Sequence, residues 1–416
     1  MASHKKAVLV VSLLTACVVL LTKCINRQQE NNSEAEARET NFAGSDACRS
    51  CHADIYNSHL HTRHFLTSQP ATEELIKGSF REGENVFQYG RRAYIAMEKR
   101  DSGLFQVGYE DGKETKARHF DIVMGSGTKG QTYVYWMGNR PFQLPVSFFT
   151  SVNQWTNSPG FPRRIVFNRS ITSRCLECHS TFAETISPPG KEPEEFNRTS
   201  IIYGVDCEKC HGPAADHVKY QQANPTDTNA QYILNPASFT RQQRLDLCAL
   251  CHGGRISKTQ ASFSFRSGDK LSDFFAFDTI GRNAADIDVH GNQYGLLAAS
   301  KCFTMSQMTC ESCHNPHENE RGQTALFSMR CTNCHGDGSG HTCGMKNQIG
   351  SMIERNCIDC HMPQQLSRAI AFMLQGSSTP KPALMRTHLI KPYPEETPKV
   401  LAEIRMLMKE AIPSDK

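Results

Sequence analysis

Seven copies of one pattern, Cys-x-x-Cys-His, concentrate the chemistry of this chain. They open at Cys48, Cys175, Cys207, Cys248, Cys310, Cys331 and Cys357. Their second thiols are Cys51, Cys178, Cys210, Cys251, Cys313, Cys334 and Cys360, and they close on His52, His179, His211, His252, His314, His335 and His361. Two thiols three residues apart suit thioether attachment to one porphyrin, and an imidazole beside the second suits its iron as proximal ligand. This is the attachment pattern of c-type haem. A zinc ribbon uses thiol pairs two at a time, so seven is an awkward count. Neither a zinc site nor a dithiol redox pair requires a histidine after the second cysteine. With 17 histidines in 416 residues, seven such placements are not coincidence. The sequence therefore predicts seven covalent c-type haems.

A second axial ligand separates a haem that only passes electrons from one with an open position for chemistry. Outside the motifs and His4 stand His59, His61, His64, His119, His217, His290, His317, His341 and His388. The predicted distal set is His64, His119, His217, His290, His317, His341 and His388. His61, one helical turn from His64 and able to share its face, is held as a substitute. His317 follows His314 by three residues, too short a path around a porphyrin, so it is expected to serve a neighbouring haem. The same argument applies less strictly to His217 after His211 and to His341 after His335. Each such ligand ties one attachment segment to the next iron and enforces close packing. Met362, beside His361, is an alternative axial group, but most methionines are expected to pack. Of the four cysteines outside the motifs, Cys302 and Cys343 are expected as buried free thiols rather than a disulfide.

These groups need a scaffold. Between His52 and Cys175, segments 86–89, 93–97, 104–109 and 132–136 alternate as strands, punctuated by Asp101-Ser102-Gly103 and Asp111-Gly112. The glycine-rich run 125–130 lacks the Walker spacing and is expected to be a turn between strands. Beyond Cys175 the pattern is irregular, with short helices near the motifs, a helix over 241–250 and another over 398–411. Ser187-Pro188-Pro189-Gly190 and Asn224-Pro225-Thr226 are loops.

Lys5 and Lys6 precede an apolar run over 7–22, which reads as an export signal. Leu14-Thr15-Ala16-Cys17 resembles a lipobox but continues apolar, whereas Cys24 leads into a polar tether. Cys24 is the preferred lipid site, Cys17 the second choice, and a cleaved signal or uncleaved anchor the remaining possibility. All place the body outside the cytoplasm. The formal charge of +4 gives no reason to expect a nucleic-acid partner, and the 38% hydrophobic content fits a body whose apolar surface is supplied by porphyrin. Scattered Lys and Arg are then partners for propionates.

Several stretches resemble the multihaem cytochromes of the cytochrome c-552/4 domain type. They are 44–64 around the first motif, Cys207 to Pro213 with His217, Met308 to His317, Cys357 to Pro363, and 125–160 outside the motifs. The resemblance spans most of 42–388 and implies electron transfer with largely His/His haems. The expected fold is a mostly irregular/α multihaem cytochrome with a small antiparallel β module inserted between the first and second haem motifs. Its expected segments are a leader (1–24), a tether (25–41), a first haem segment (42–80), a β-rich module (81–170), a six-haem region (171–390) and a C-terminal helix (391–416). Expected partners are other redox proteins or a membrane quinol-oxidising complex, with the membrane reached through the N-terminal lipid or anchor. The rival reading is a multihaem oxidoreductase with one open haem acting on a small nitrogen or sulfur oxyanion; the absence of a Cys-x-x-Cys-Lys motif weakens it.

Overall fold

The computed structural model describes residues 41–188, 190–277, 283–336 and 343–410. The leader, most of the tether, Cys17, Cys24 and His341 lie outside the described residues.

Eleven strands occupy the interval between the first two motifs: β1 (Ser68–Pro70), β2 (Val86–Gln88), β3 (Ala93–Arg100), β4 (Gly103–Glu110), β5 (Lys113–His119), β6 (Ile122–Met124), β7 (Gly130–Met137), β8 (Arg140–Gln143), β9 (Val146–Phe149), β10 (Gln154–Asn157) and β11 (Arg169–Ser170). β2–β5 form a four-stranded antiparallel meander, and the others form a seven-stranded sheet in the order β1-β6-β7-β8-β11, with β9 on β7 and β10 on β9. The long strands follow the alternation predicted from sequence. Tyr94 and Tyr109 face each other across β3 and β4 and stack at 4.9 Å. The strands the pattern did not reveal are short or buried throughout: Ile122, Val123 and Met124 of β6 are all buried, which removes the period of two.

Between the sheets lies the largest apolar cluster, including Ile95, Met97, Phe120, Tyr133, Leu144 and Trp155. Trp155 packs so closely on Gly78 that a Cβ there would stand 2.0 Å from its ring. The indole also donates to the Ser79 carbonyl at 2.9 Å. This core owes nothing to the cysteine motifs. Among the described residues the motif-bearing part has smaller clusters: one around Ala249, Leu250 and Leu271, one joining Ile349 and Ile353 to Val400 and Ile404, and one that packs Leu176 of the second motif, Phe196 and Ile201 against Ile122, Met124 and Val134 of the strands. That contrast is what a region relying on flat apolar prosthetic groups requires.

Helices carry or flank the motifs: α1 (Ala53–His59), α2 (Ser173–His179), α3 (Cys207–His211), α4 (Arg241–His252), α5 (Thr324–His335), α6 (Cys357–His361) and, after the last motif, α7 (Thr397–Glu410). Within one helical turn, positions i, i+3 and i+4 share a face, so both thiols and the imidazole point the same way. Local caps fix these short helices. Asp206 accepts from the Cys207 amide at 2.8 Å, and Thr240 with Gln243 closes a capping box on α4. α6 is capped from a distance, by the buried Ser328 hydroxyl of α5, which accepts from the Cys357 amide at 3.0 Å.

Candidate haem sites

The seven motifs are fastened to one another by named contacts. Glu208, a variable residue of the third motif, accepts the amides of Ala43 at 2.8 Å, Gly44 at 3.0 Å and Ala214 at 2.8 Å, and so holds the segment before the first motif. The Cys48 and Cys207 thiols are neighbours there. Desolvation raises the Glu208 carboxyl above its usual range, while the three amides oppose that shift. Arg174 of α2 donates to the Leu250 carbonyl of α4 at 2.7 Å, and Cys178 touches Cys251. Cys248 touches Cys310 and lies within electrostatic reach of Cys210. Arg330 of α5 donates to the Cys313 carbonyl at 2.6 Å and pairs with Glu320. Cys331 touches Cys357. The first motif is thus joined to the third, the second to the fourth, the fourth to the fifth and the sixth to the seventh, and Arg330 ties α5 to the fifth.

Three pairs of histidines from separate segments face one another at nearly equal spacing. Ring centres are 6.4 Å apart for His64 and His252, 6.1 Å for His211 and His317, and 6.3 Å for His314 and His388. Imidazole nitrogens bind a metal at about 2 Å, and two such bonds plus the ring radii come to about 6 Å, so each gap fits one iron. The far ring nitrogens are occupied as ligands require: His211 Nδ1 meets the Leu234 carbonyl at 2.9 Å and His252 Nδ1 meets Gln293 Oε1 at 3.2 Å. Burial, followed by the neighbouring His252, lowers the His64 pKa to about 4. Burial, followed by His314, lowers that of His388 to about 4. Both are held in the neutral form that ligates metal. His388 Nδ1 is buried with no hydrogen-bond partner. The rings of His252 and His314 are solvent-accessible, yet desolvation by surrounding chain lowers both pKa values, as for rings lining an internal slot.

The other predicted residues divide as follows. His290 lies within electrostatic reach of His179, whose Nδ1 meets the Thr67 carbonyl at 3.3 Å. His361 is close enough to His335 to feel its charge. His217 Nδ1 meets the Gln231 carbonyl at 2.7 Å. His119 sits in the β region, with Nδ1 3.0 Å from Asp121 and its ring against Phe105. His52 and His61 are exposed. His59 is 6.5 Å from His317, but its Nε2 is 3.1 Å from the Val205 carbonyl. Cys302 and Cys343 are free thiols as expected, but neither is buried: Cys302 is half-buried and within electrostatic reach of Cys334, and Cys343 is exposed and within electrostatic reach of Cys360. Among the described residues no three His, Cys, Asp or Glu side chains converge as a compact metal site would need.

Residues 163–212, which hold the second and third motifs, match the family model for cytochrome c554 and c-prime. That match covers 50 of the 416 residues and marks this stretch as similar to a cytochrome c family. The crystal structure of the outer cell wall cytochrome OcwA resembles the chain in fold, with a TM-score of 0.52 and 17% identity over 84% of this chain and 80% of that chain. No curated protein matches it in sequence. Electron transfer by covalently bound c-type haem is the activity this family supports.

Sequence reasoning passed over Glu208, Ser328 and Gly204. Gly204 has φ +70°, and a Cβ there would meet the Phe65 carbonyl at 2.2 Å. The Val205 amide therefore reaches the His64 carbonyl at 2.9 Å, which sets the third motif against the His64 segment. A glycine shortly before a motif was the only signal available.

Proposed function

We propose that the chain carries one haem on each of its seven motifs and relays electrons through closely packed, mainly bis-histidine haems, outside the cytoplasm and tethered at its N-terminus. Bound haem supplies iron that changes oxidation state by one electron at a potential set by its surroundings. The chain's own residues supply the rest. His64, His317 and His388 are assigned opposite His252, His211 and His314, and His290 opposite His179. His119, His217 and His341 remain candidates for the first, sixth and seventh motifs. Carbonyl and amide partners such as Leu234 and Gln293 hold the proximal rings in one tautomer. Ligands on both sides limit rearrangement around the iron as its charge changes.

The observation that carries this reading is the repeated ring spacing of 6.1 to 6.4 Å between histidines from separate segments. The contacts between neighbouring motifs support close packing of the haems. The proposed segments are a first haem segment (42–80), a β-rich module (81–170), a six-haem region (171–390) and a C-terminal helix (391–416). The apolar cluster of the β strands, built without motif residues, supports the second of these. The name of the outer cell wall relative supports placement outside the cytoplasm. Other redox proteins or a membrane quinol-oxidising complex are the proposed partners, and Cys24, then Cys17, the lipid site.

Intact mass of the mature protein tests the stoichiometry, and electron paramagnetic resonance tests the ligation. Seven added haem masses and seven low-spin ferric signals are expected. A colourless protein, or one loaded with zinc, overturns the reading.

A further inference from the structure

The turn between β6 and β7, Arg63 and the segment following His317 line a half-open cleft of about 470 Å³. Arg63, Arg321 and Lys77 line it, with Glu74 as its one carboxylate. Arg321 is partly desolvated and feels Arg63 as its charged neighbour. Lys129, whose ammonium donates to the Leu384 carbonyl at 2.8 Å, adds a further positive charge close to Arg321. Among the described residues neither Arg63 nor Arg321 has a carboxylate partner. Arg140, Arg330 and Arg386 are paired with Glu195, Glu320 and Asp359. Both arginines are exposed on the cleft wall, and two guanidinium groups lining one cleft without an anion repel. The turn also brings the Ser126 and Thr128 hydroxyls to the wall, while Gly127, at φ +75°, adds no side chain against Lys77.

We propose that this cleft is an oxyanion site in which Arg63 and Arg321 clamp one anionic group. The group is a phosphate-sized inorganic oxyanion or the propionate carboxylate of a bound porphyrin. Planar guanidinium forks suit both, because each presents two oxygens to paired N–H donors. The first source stands without the haem assignment; the second rests on it.

Calorimetric titration of the haem-loaded full chain with inorganic phosphate at low ionic strength separates the two, alongside a redox titration followed by absorbance. For a free oxyanion, phosphate binds saturably at one site. Arg63→Gln and Arg321→Gln each weaken it at least tenfold, and Arg321→Lys recovers part of the loss. For a propionate, phosphate does not bind, and the same two Gln variants lower the potential of one haem, because a cation that favours the reduced state is gone. Arg81→Gln, which alters an exposed residue paired with Glu84, leaves both readouts unchanged. Phosphate binding that survives both Gln variants, or an absence of binding with no change in potential, overturns the proposal. Haem content by mass, measured on every variant, distinguishes this failure from failure of the haem assignment.

Discussion

The carboxylate of Glu208 receives the amide of Ala43 at 2.8 Å across 165 residues of sequence. It belongs to the third motif, yet it anchors the approach to the first. It is 4% exposed, and the amide of Ala214, itself buried, has no water to replace it. Glu208→Ala is expected to lower stability by roughly 3 kcal/mol, as buried donors lose their acceptor. Glu208→Gln, which keeps one acceptor oxygen, should lose less. Urea unfolding measures both, and limited proteolysis should cut Glu208→Ala first near residues 41–52. Equal stability of the wild type and Glu208→Ala would refute the role.

His317 has two histidine neighbours, His211 and His59. The Nε2 of His59 is taken by the Val205 carbonyl, whereas His211 already directs Nδ1 to Leu234. His317→Ala should therefore convert one haem to high spin with all seven still attached, and His59→Ala should leave the spin state unchanged. The reverse pattern in electron paramagnetic resonance would reassign the ligand.

Within the cluster of His59, His61 and His64, only His64 pairs with a motif histidine other than through His317, at 6.4 Å from His252. His64→Ala should produce one high-spin haem and His61→Ala none. Carbon monoxide binding to the reduced variants reads this directly: new binding in His61→Ala alone would exchange the two assignments.

Ser328 links the last two motifs by capping α6 from α5, and it is fully buried. Ser328→Ala is expected to cost about 1 kcal/mol, the usual magnitude for a lost helix cap. Ser328→Thr should recover part of it by keeping the hydroxyl. Thermal melts of the loaded protein check the pair.

Haem removal should divide the molecule. The cluster from Ile76 to Phe167 includes no motif residue, while the motif region has smaller apolar clusters, one of them shared between β6, β7 and Leu176 of the second motif. Chain produced without haem attachment should retain a protease-resistant portion over about 68–170, the region stabilised by that apolar burial, and lose protection beyond it. Uniform digestion would show that the β core depends on the haems.

Much of the local structure was legible because its signals are short-range. The segment expected to be helical at 241–250 is α4, and that at 398–411 is α7, each shifted by one or two residues at an end. The half-buried strands β3, β4 and β7 announced themselves by alternation. β1, β6 and β9 did not, since three or four residues give too few repeats and full burial erases the period. The ligand-bearing pattern was equally plain, as two thiols and an imidazole within five residues carry their meaning wherever they fall.

Sequence alone marked which cysteines and histidines are expected to form attachment units, because that pattern is closed within a single helical turn. It also determined that His317 must look beyond its own motif, because three residues cannot span a porphyrin. Only the tertiary structure decided where His317 looks, which of His59, His61 and His64 faces a motif imidazole, and that Arg63 and Arg321 line one cleft. Those meetings depend on segments far apart in the chain, brought together by contacts such as Glu208 with Ala43 and Gly204 with Phe65. No spacing rule along the chain encodes such contacts, because they arise from packing between surfaces.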